Sequence, residues 1–254
     1  MRVSGRLGVW GVWLVLWAVL PAGAATEADL LRLLERADAR YAEVQDYTSR
    51  MRSIERVGDT LLPEEQILLK FQRPFRVYMR WLEGPSKGRE GLYDAERHGG
   101  KFLLAEPRGL ARLFTAALDP RDPRIMERSR HPVTDVGIGR LLEIVGQNAR
   151  RAAREKVLRL VDRGAGEVAG RRVRQLEGIL PRDQVAGYYG YRVVLAFDEE
   201  HHLPIRVVVY DWYDRLVEDY THADLVLNPG LGRRDFDAGN SDYGFQGWRI
   251  RFPG

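Results

Sequence analysis

From Asp46 onward, side-chain polarity in this chain of 254 residues alternates with a period of two. Only β-strands with one face buried and one face wet satisfy that pattern. The clearest case is residues 75–82, where Phe75, Val77, Met79 and Trp81 share one parity and Arg76, Tyr78 and Arg80 the other. In residues 47–57, Arg50, Arg52 and Arg56 oppose Tyr47, Met51 and Val57. Residues 61–72 group Ile67, Leu69 and Phe71, and Pro74 marks the edge or turn that follows. Further strands are expected at 89–94 and 101–106, joined through His98-Gly99-Gly100, and at 157–164 and 170–181, joined around Gly166. The last three fall at 191–198, with Tyr191, Val193, Leu195 and Phe197 on one face, at 204–212, with Ile205, Val207 and Val209 on one face, and at 216–227.

Two segments carry helical periodicity instead. Thr26 is a good N-cap with Asp29 in the capping-box position, and Leu30, Leu34, Ala37, Tyr41 and Val44 then form one stripe. The second stripe holds Ile138, Leu141, Leu142, Val145, Ala149 and Ala152. It ends in Arg150, Arg151, Arg154 and Lys156, which suit the negative end of a helix dipole. Between the helices, Asp119-Pro120-Arg121-Asp122-Pro123 excludes a regular helix or central strand, so residues 107–132 are expected to cross one end of the sheet.

About ten alternating strands at hairpin spacing, two helices and no βαβ rhythm define a mostly β (α+β) fold with one large antiparallel sheet. A sheet of that size must curl or split, and the amphipathic helices need an apolar surface to bury their stripes. The expected product is a curved antiparallel sheet forming an incomplete β-barrel, with two or more helices covering its concave side. No composition shift, linker or internal repeat divides residues 26–254, so one domain is expected.

The first 24 residues follow a different logic. Arg2 and Arg6 precede an apolar run over residues 7–20, then come Pro21 and the small residues Ala22-Gly23-Ala24. That order is a secretory signal peptide with cleavage expected near Ala24, and the run falls short of the roughly 20 residues that span a bilayer. Cleaved or retained as an anchor, it places the body of the protein across the membrane. The chain has no cysteine, which excludes a lipid-modified N-terminus and leaves the fold to be held by its core alone. Without Arg2 and Arg6, 38 basic residues stand against 36 acidic ones (40 less 2, beside 36), and their signs alternate along the chain. A nucleic-acid surface needs a basic stripe, so no nucleic-acid partner is expected.

Catalytic motifs are absent: there is no G-x-S-x-G, P-loop or H-E-x-x-H, and Gly137-Ile138-Gly139 is not a dinucleotide fingerprint. His98, His131, His201, His202 and His222 are scattered, and adjacent His201 and His202 point to opposite faces of any strand, reading better as a turn before Pro204. Asp211, Asp214, Glu218 and Asp219 lie at strand ends among arginines. They read as surface ion pairs ahead of a glycosidase acid and base. No enzymatic activity, cofactor or metal is expected. His131, in Ser129-Arg130-His131-Pro132, reads either as a helix-entry turn bonding local backbone or as a ligand or partner contact at a lid.

A set of residues spread along the chain resembles an uncharacterised bacterial exported domain family, a domain of unknown function grouped with the LolA-like lipoprotein-sorting proteins. They are Asp46-Tyr47-Thr48, Pro74-Phe75 with Val77-Tyr78 and Trp81, Gly88-Arg89-Glu90 with Tyr93, Ser129-Arg130-His131-Pro132, Gly137, Asp235-Phe236 and Tyr243-Gly244-Phe245. The resemblance implies a periplasmic half-barrel closed by helices, whose hollow holds acyl chains. Such proteins carry lipoproteins or other lipids, or act as sensory domains of envelope-stress regulators, and fold does not choose among these.

The alternating faces supply a candidate apolar lining: Met51, Leu69, Phe71, Phe75, Val77, Met79, Trp81, Val193, Leu195 and Phe197. Ile138, Leu141, Leu142 and Val145 are the candidate lid. The expected partner is a lipid or acylated protein, passed between membrane-bound donor and acceptor proteins by a monomer. The alternative is a structural or regulatory envelope module that binds a protein partner without lipid. A carrier needs an openable hollow of several hundred Å3, whereas a module shows a filled interior and an exposed apolar patch.

Overall fold

The computed structural model describes residues 26–245 and 250–251, so the signal-peptide segment lies outside the described residues. The chain begins with helix α1 (Glu27–Ala42), capped by the reciprocal Thr26–Asp29 pair read from the sequence. Leu30, Leu34 and Ala37 are its buried face. Then come β1 (Asp46–Val57), β2 (Thr60–Leu61), β3 (Glu65–Gln72), β4 (Arg76–Glu83), β5 (Glu90–Asp94), β6 (Phe102–Ala105) and β7 (Thr115–Leu118). A single-turn α2 (Pro123–Met126) and the long α3 (Ile138–Arg154) interrupt the strands. They resume as β8 (Arg159–Val168), β9 (Arg171–Ile179), β10 (Arg192–Asp198), β11 (Pro204–Tyr210) and β12 (Leu216–Leu227), and a short β13 (Ile250–Arg251) closes the order.

Twelve strands form one path, β13-β7-β6-β5-β4-β3-β1-β12-β11-β10-β9-β8, with β2 paired to β1 at its side. Every described pairing is antiparallel except β13 with β7. The two ends of the path do not pair, so the barrel is incomplete, as expected from its alternating strands. α1 and α3 lie on the concave side. There Leu34, Ile138 and Leu142 join Tyr47, Leu69, Val77, Leu195 and Phe197 in the main core. Burying both helical stripes against this face removes a continuous apolar surface from water, the principal favourable contribution to such a fold.

Several details differ from the sequence reading. The segment 61–72 splits, because Pro63 lacks the N–H a ladder needs, and β3 starts only at Glu65. β7, inside the stretch read as a crossing, pairs with β6; at four residues it was too short to show a period, and the prolines after it begin α2. The β8–β9 hairpin turns at Ala169-Gly170, both at positive φ, while Gly166 sits within β8 opposite Val173. Tyr78, on the polar parity of β4, is buried: the convex face carries a second core of Tyr78, Leu92, Leu103 and Ala117 under Phe236 and Phe245 of the tail. Lys70 fastens that tail, with its Nζ 2.6 Å from Asp235 Oδ1 and 3.1 Å from the Tyr243 hydroxyl.

Candidate functional site

Between the concave sheet and its roof lies a cavity of about 510 Å3. Met51, Ile67, Met79, Trp81, Phe102 and Leu104 form its floor from β1, β3, β4 and β6. Ile125 of α2, Val133 and Val136 of the segment linking α2 to α3, and Leu141, Ile144 and Val145 of α3 form the roof. Exposed Pro63, Arg124, Glu127 and Arg128 stand at its rim, where it opens to solvent.

Two glycines make this shape possible. Gly91 on β5 leaves room for the Phe102 ring, since a Cβ there would lie 2.4 Å from its tip. Gly137, at φ +114, turns the chain into α3, and a Cβ there would lie 2.8 Å from the Tyr47 hydroxyl. That hydroxyl accepts the Ile138 N–H at 3.1 Å, satisfying one of the free donors at the start of α3.

One wall of the cavity is polar. In the β1–β12 register Glu55 stands directly opposite Glu218, Ser53 opposite Tyr220, and Met51 opposite His222, so all six face the hollow. Glu218, 5% exposed, accepts from Tyr189 Oη at 2.7 Å and lies 2.9 Å from His131 Nε2. Arg130 Nε is 3.6 Å from the same carboxylate. Glu55 accepts from the Tyr220 hydroxyl at 2.6 Å and from the Arg130 backbone N–H.

Burial opposes the charged form of His131, but the hydrogen bond and charge of Glu218, aided by Glu55, outweigh it and raise its pKa above 6.5. Burial pushes the Tyr189 and Tyr220 hydroxyls up, reinforced by the neighbouring carboxylates, so both remain donors at neutral pH. His222, buried and 2.9 Å from the Ser49 hydroxyl, is driven by burial down to about 4.

The sequence-derived lining divides in two. Met51, Met79 and Trp81 face the cavity, as do Leu141 and Val145 of the lid set. Leu69, Phe71, Phe75, Val77, Val193, Leu195 and Phe197 lie away from it in the packed core, as do Ile138 and Leu142. Within that packed core Tyr47, Phe71, Phe75 and Tyr93 form an aromatic chain with successive centroids 5.1, 5.5 and 5.8 Å apart.

Glu218 and Asp219 are corrections to the reading as surface ion pairs. Both are buried, Asp219 on the outer parity between Arg52 at 2.6 Å and Arg206 at 2.8 Å. Asp211 and Asp214 do pair near the surface, with Arg215 and Arg192. His131 exceeds the helix-entry reading: Ser129 bonds the local backbone, but the imidazole reaches β12. The overlooked signal was the shared parity of Glu218, Tyr220 and His222 within β12.

A half-open antiparallel sheet with helices over an apolar hollow defines the LolA-like class of fold. The chain belongs to the family described as protein of unknown function (DUF1571), whose model matches residues 44–245.

Solved structures resemble it at low identity. The lipoprotein LppX of Mycobacterium tuberculosis aligns with 84% of this chain and 100% of its own, at 12% identity and a TM-score of 0.51. MucB aligns at 20% identity and a TM-score of 0.48, covering 85% of this chain; this chain spans only 64% of MucB, which is also known in a Pseudomonas aeruginosa complex with MucA. LprF of Mycobacterium bovis aligns at 13% identity and a TM-score of 0.47, over 83% of this chain and 97% of its own. No curated protein matches the chain.

Proposed function

We propose that the protein is an exported, periplasmic carrier or binder of a lipid or lipidated protein, acting through the cavity of a single half-barrel domain. One observation carries this reading: the hollow of about 510 Å3, apolar on its floor and roof and open at its rim, is of the size small-molecule sites need. A packed protein interior holds few voids larger than a water molecule, so a hollow this large is not ordinary packing. A protein-binding module needs no such space, and the large exposed apolar side chains, among them Leu110, Val185, Tyr213 and Val226, come from separate segments of the chain.

In this reading Leu141 and Val145 belong to the lid, Met51, Met79 and Trp81 contact the acyl chain, and the core residues beside them support the lining. Transfer from a membrane-bound donor to an acceptor by a monomer completes the proposal, with no catalytic step assigned. Native mass spectrometry of protein purified from the periplasm tests it. A retained lipid is expected. A bare chain that also fails to take up a neutral apolar fluorophore overturns the carrier reading in favour of the protein-binding module. N-terminal sequencing of the exported protein checks cleavage near Ala24; an intact Met1 in the membrane fraction overturns it.

A further inference from the structure

The polar wall poses a physical problem that its neighbours only half solve. Glu55 and Glu218 are direct cross-strand partners, and like charges directly opposite in a sheet destabilise it. Their position in an apolar hollow strengthens the repulsion relative to water. The cations that face the pair, His131 at 2.9 Å and Arg130 at 3.6 Å, both reach Glu218. Among the described residues Glu55 receives only uncharged donors: the Tyr220 hydroxyl, the Ser53 hydroxyl at 3.5 Å and the Arg130 backbone N–H.

Elsewhere the lining is acidic too. Behind the rim it adds Glu65, Glu106 and Asp135; Arg89 lies 2.8 Å from Glu106 and Arg140 3.5 Å from Asp135, so among the described residues Glu65, like Glu55, has no ion-pair partner. Beside this wall, on the same face of the sheet, the floor continues as Ile67, Met79 and Trp81. The hollow is therefore amphipathic, with an apolar side for a chain and a carboxylate side short of positive charge.

We propose that the occupant is an amphiphile with an ammonium head group, whose chain lies on the Met79–Trp81 floor and whose amine is held by Glu55 and Glu218. An ammonium has three donors and no acceptor, so it can bond both carboxylates at once. The same charge that attracts it repels a carboxylate or phosphate monoester head. This rests on the carrier reading and adds the chemical class of the cargo.

Matched twelve-carbon probes test the two separately. Dodecylamine, dodecanol and dodecanoate, each below its micellar concentration, displace a neutral apolar fluorophore from the full mature protein. Dodecylamine is expected to displace it at a concentration at least about tenfold lower than dodecanoate, a difference of about 1.4 kcal/mol. Glu55→Gln should shrink that ratio to below about threefold.

Dodecanoate equal to or stronger than dodecylamine on the unmodified protein overturns the proposal, and this comparison needs no variant to fold. Retention of the full amine preference in a folded Glu55→Gln protein overturns the assignment of Glu55. If dodecanol displaces but charge makes no difference, only the head-group proposal falls. If the fluorophore itself never binds, the carrier reading falls with it.

Discussion

His131 Nε2 lies 2.9 Å from Glu218 Oε2, and this contact ties the segment roofing the cavity to the strand that walls it. Tyr189 completes the tie, its hydroxyl 2.8 Å from the same imidazole nitrogen and 2.7 Å from the same carboxylate oxygen. In the proposed carrier, this roof, held by hydrogen bonds at one side and by apolar contacts beneath, is the part expected to open without unfolding the sheet.

The His131–Glu218 tie has a defined pH dependence. The folded pKa of His131 is raised above 6.5, so its stabilisation is fully present below 6.5 and is lost as pH rises through the folded value. Thermal melts of the natural protein and of Glu218→Gln should differ most below about pH 6.5, and the gap should narrow as pH rises through the folded value. A gap that widens with pH contradicts the assignment.

His222 acts in the opposite direction. Its folded value of about 4 lies below the unfolded 6.5, so its contribution is present above 6.5 and is lost as pH falls toward 4. Across that window the natural protein should lose on the order of 3 kcal/mol more than His222→Gln does. Denaturant titrations at pH 7 and pH 4 measure this directly. Equal acid sensitivity in the two proteins rules it out.

Leu69 and Leu141 separate core from cavity. Leu69 is fully buried and away from the hollow, so Leu69→Ala should cost about 2–5 kcal/mol while leaving fluorophore binding by the folded protein intact. Leu141 is half-buried and lines the roof, so Leu141→Trp should fill space and weaken binding several-fold with a stability change below about 1.5 kcal/mol. Reversed outcomes would mean the hollow has been mislocated.

Gly137 marks the hinge into α3. At φ +114, any side chain strains the backbone, and a Cβ 2.8 Å from the Tyr47 hydroxyl breaks the bond to Ile138 N–H. Gly137→Ala should therefore destabilise by about 1–3 kcal/mol, read by thermal or denaturant unfolding. Hydrogen exchange at residues 138–142 should speed up in the same variant; unchanged protection there argues that the loss lies elsewhere.

Much of this architecture was legible in local pattern. The Thr26–Asp29 capping box, the two helical stripes and the bounds of β12 follow from residues a few positions apart, because caps, 3.6-residue stripes and period-two faces are local properties. Signals failed where length or punctuation was insufficient: four residues of β7 show no period, and Gly166 mimicked the turn that Ala169-Gly170 makes.

The sequence alone determined which apolar side chains along a strand share one face, since parity is a local property of each strand. It also determined that the curved sheet must be covered by two helices, whose stripes have no other apolar surface to bury. Only the tertiary structure decided which inward residues meet a void. Leu195 and Met79 have the same local signature, yet Leu195 lies in the packed core and Met79 lines the hollow. Likewise Glu218 reads locally as one acid among arginines. It becomes a buried cavity carboxylate because strand pairing sets it opposite Glu55 and chain crossing brings His131 over it, contacts separated by 163 and 87 positions in the chain (218 − 55 and 218 − 131). Such distant pairings arise from the packing of the whole sheet, and no local window of residues contains them.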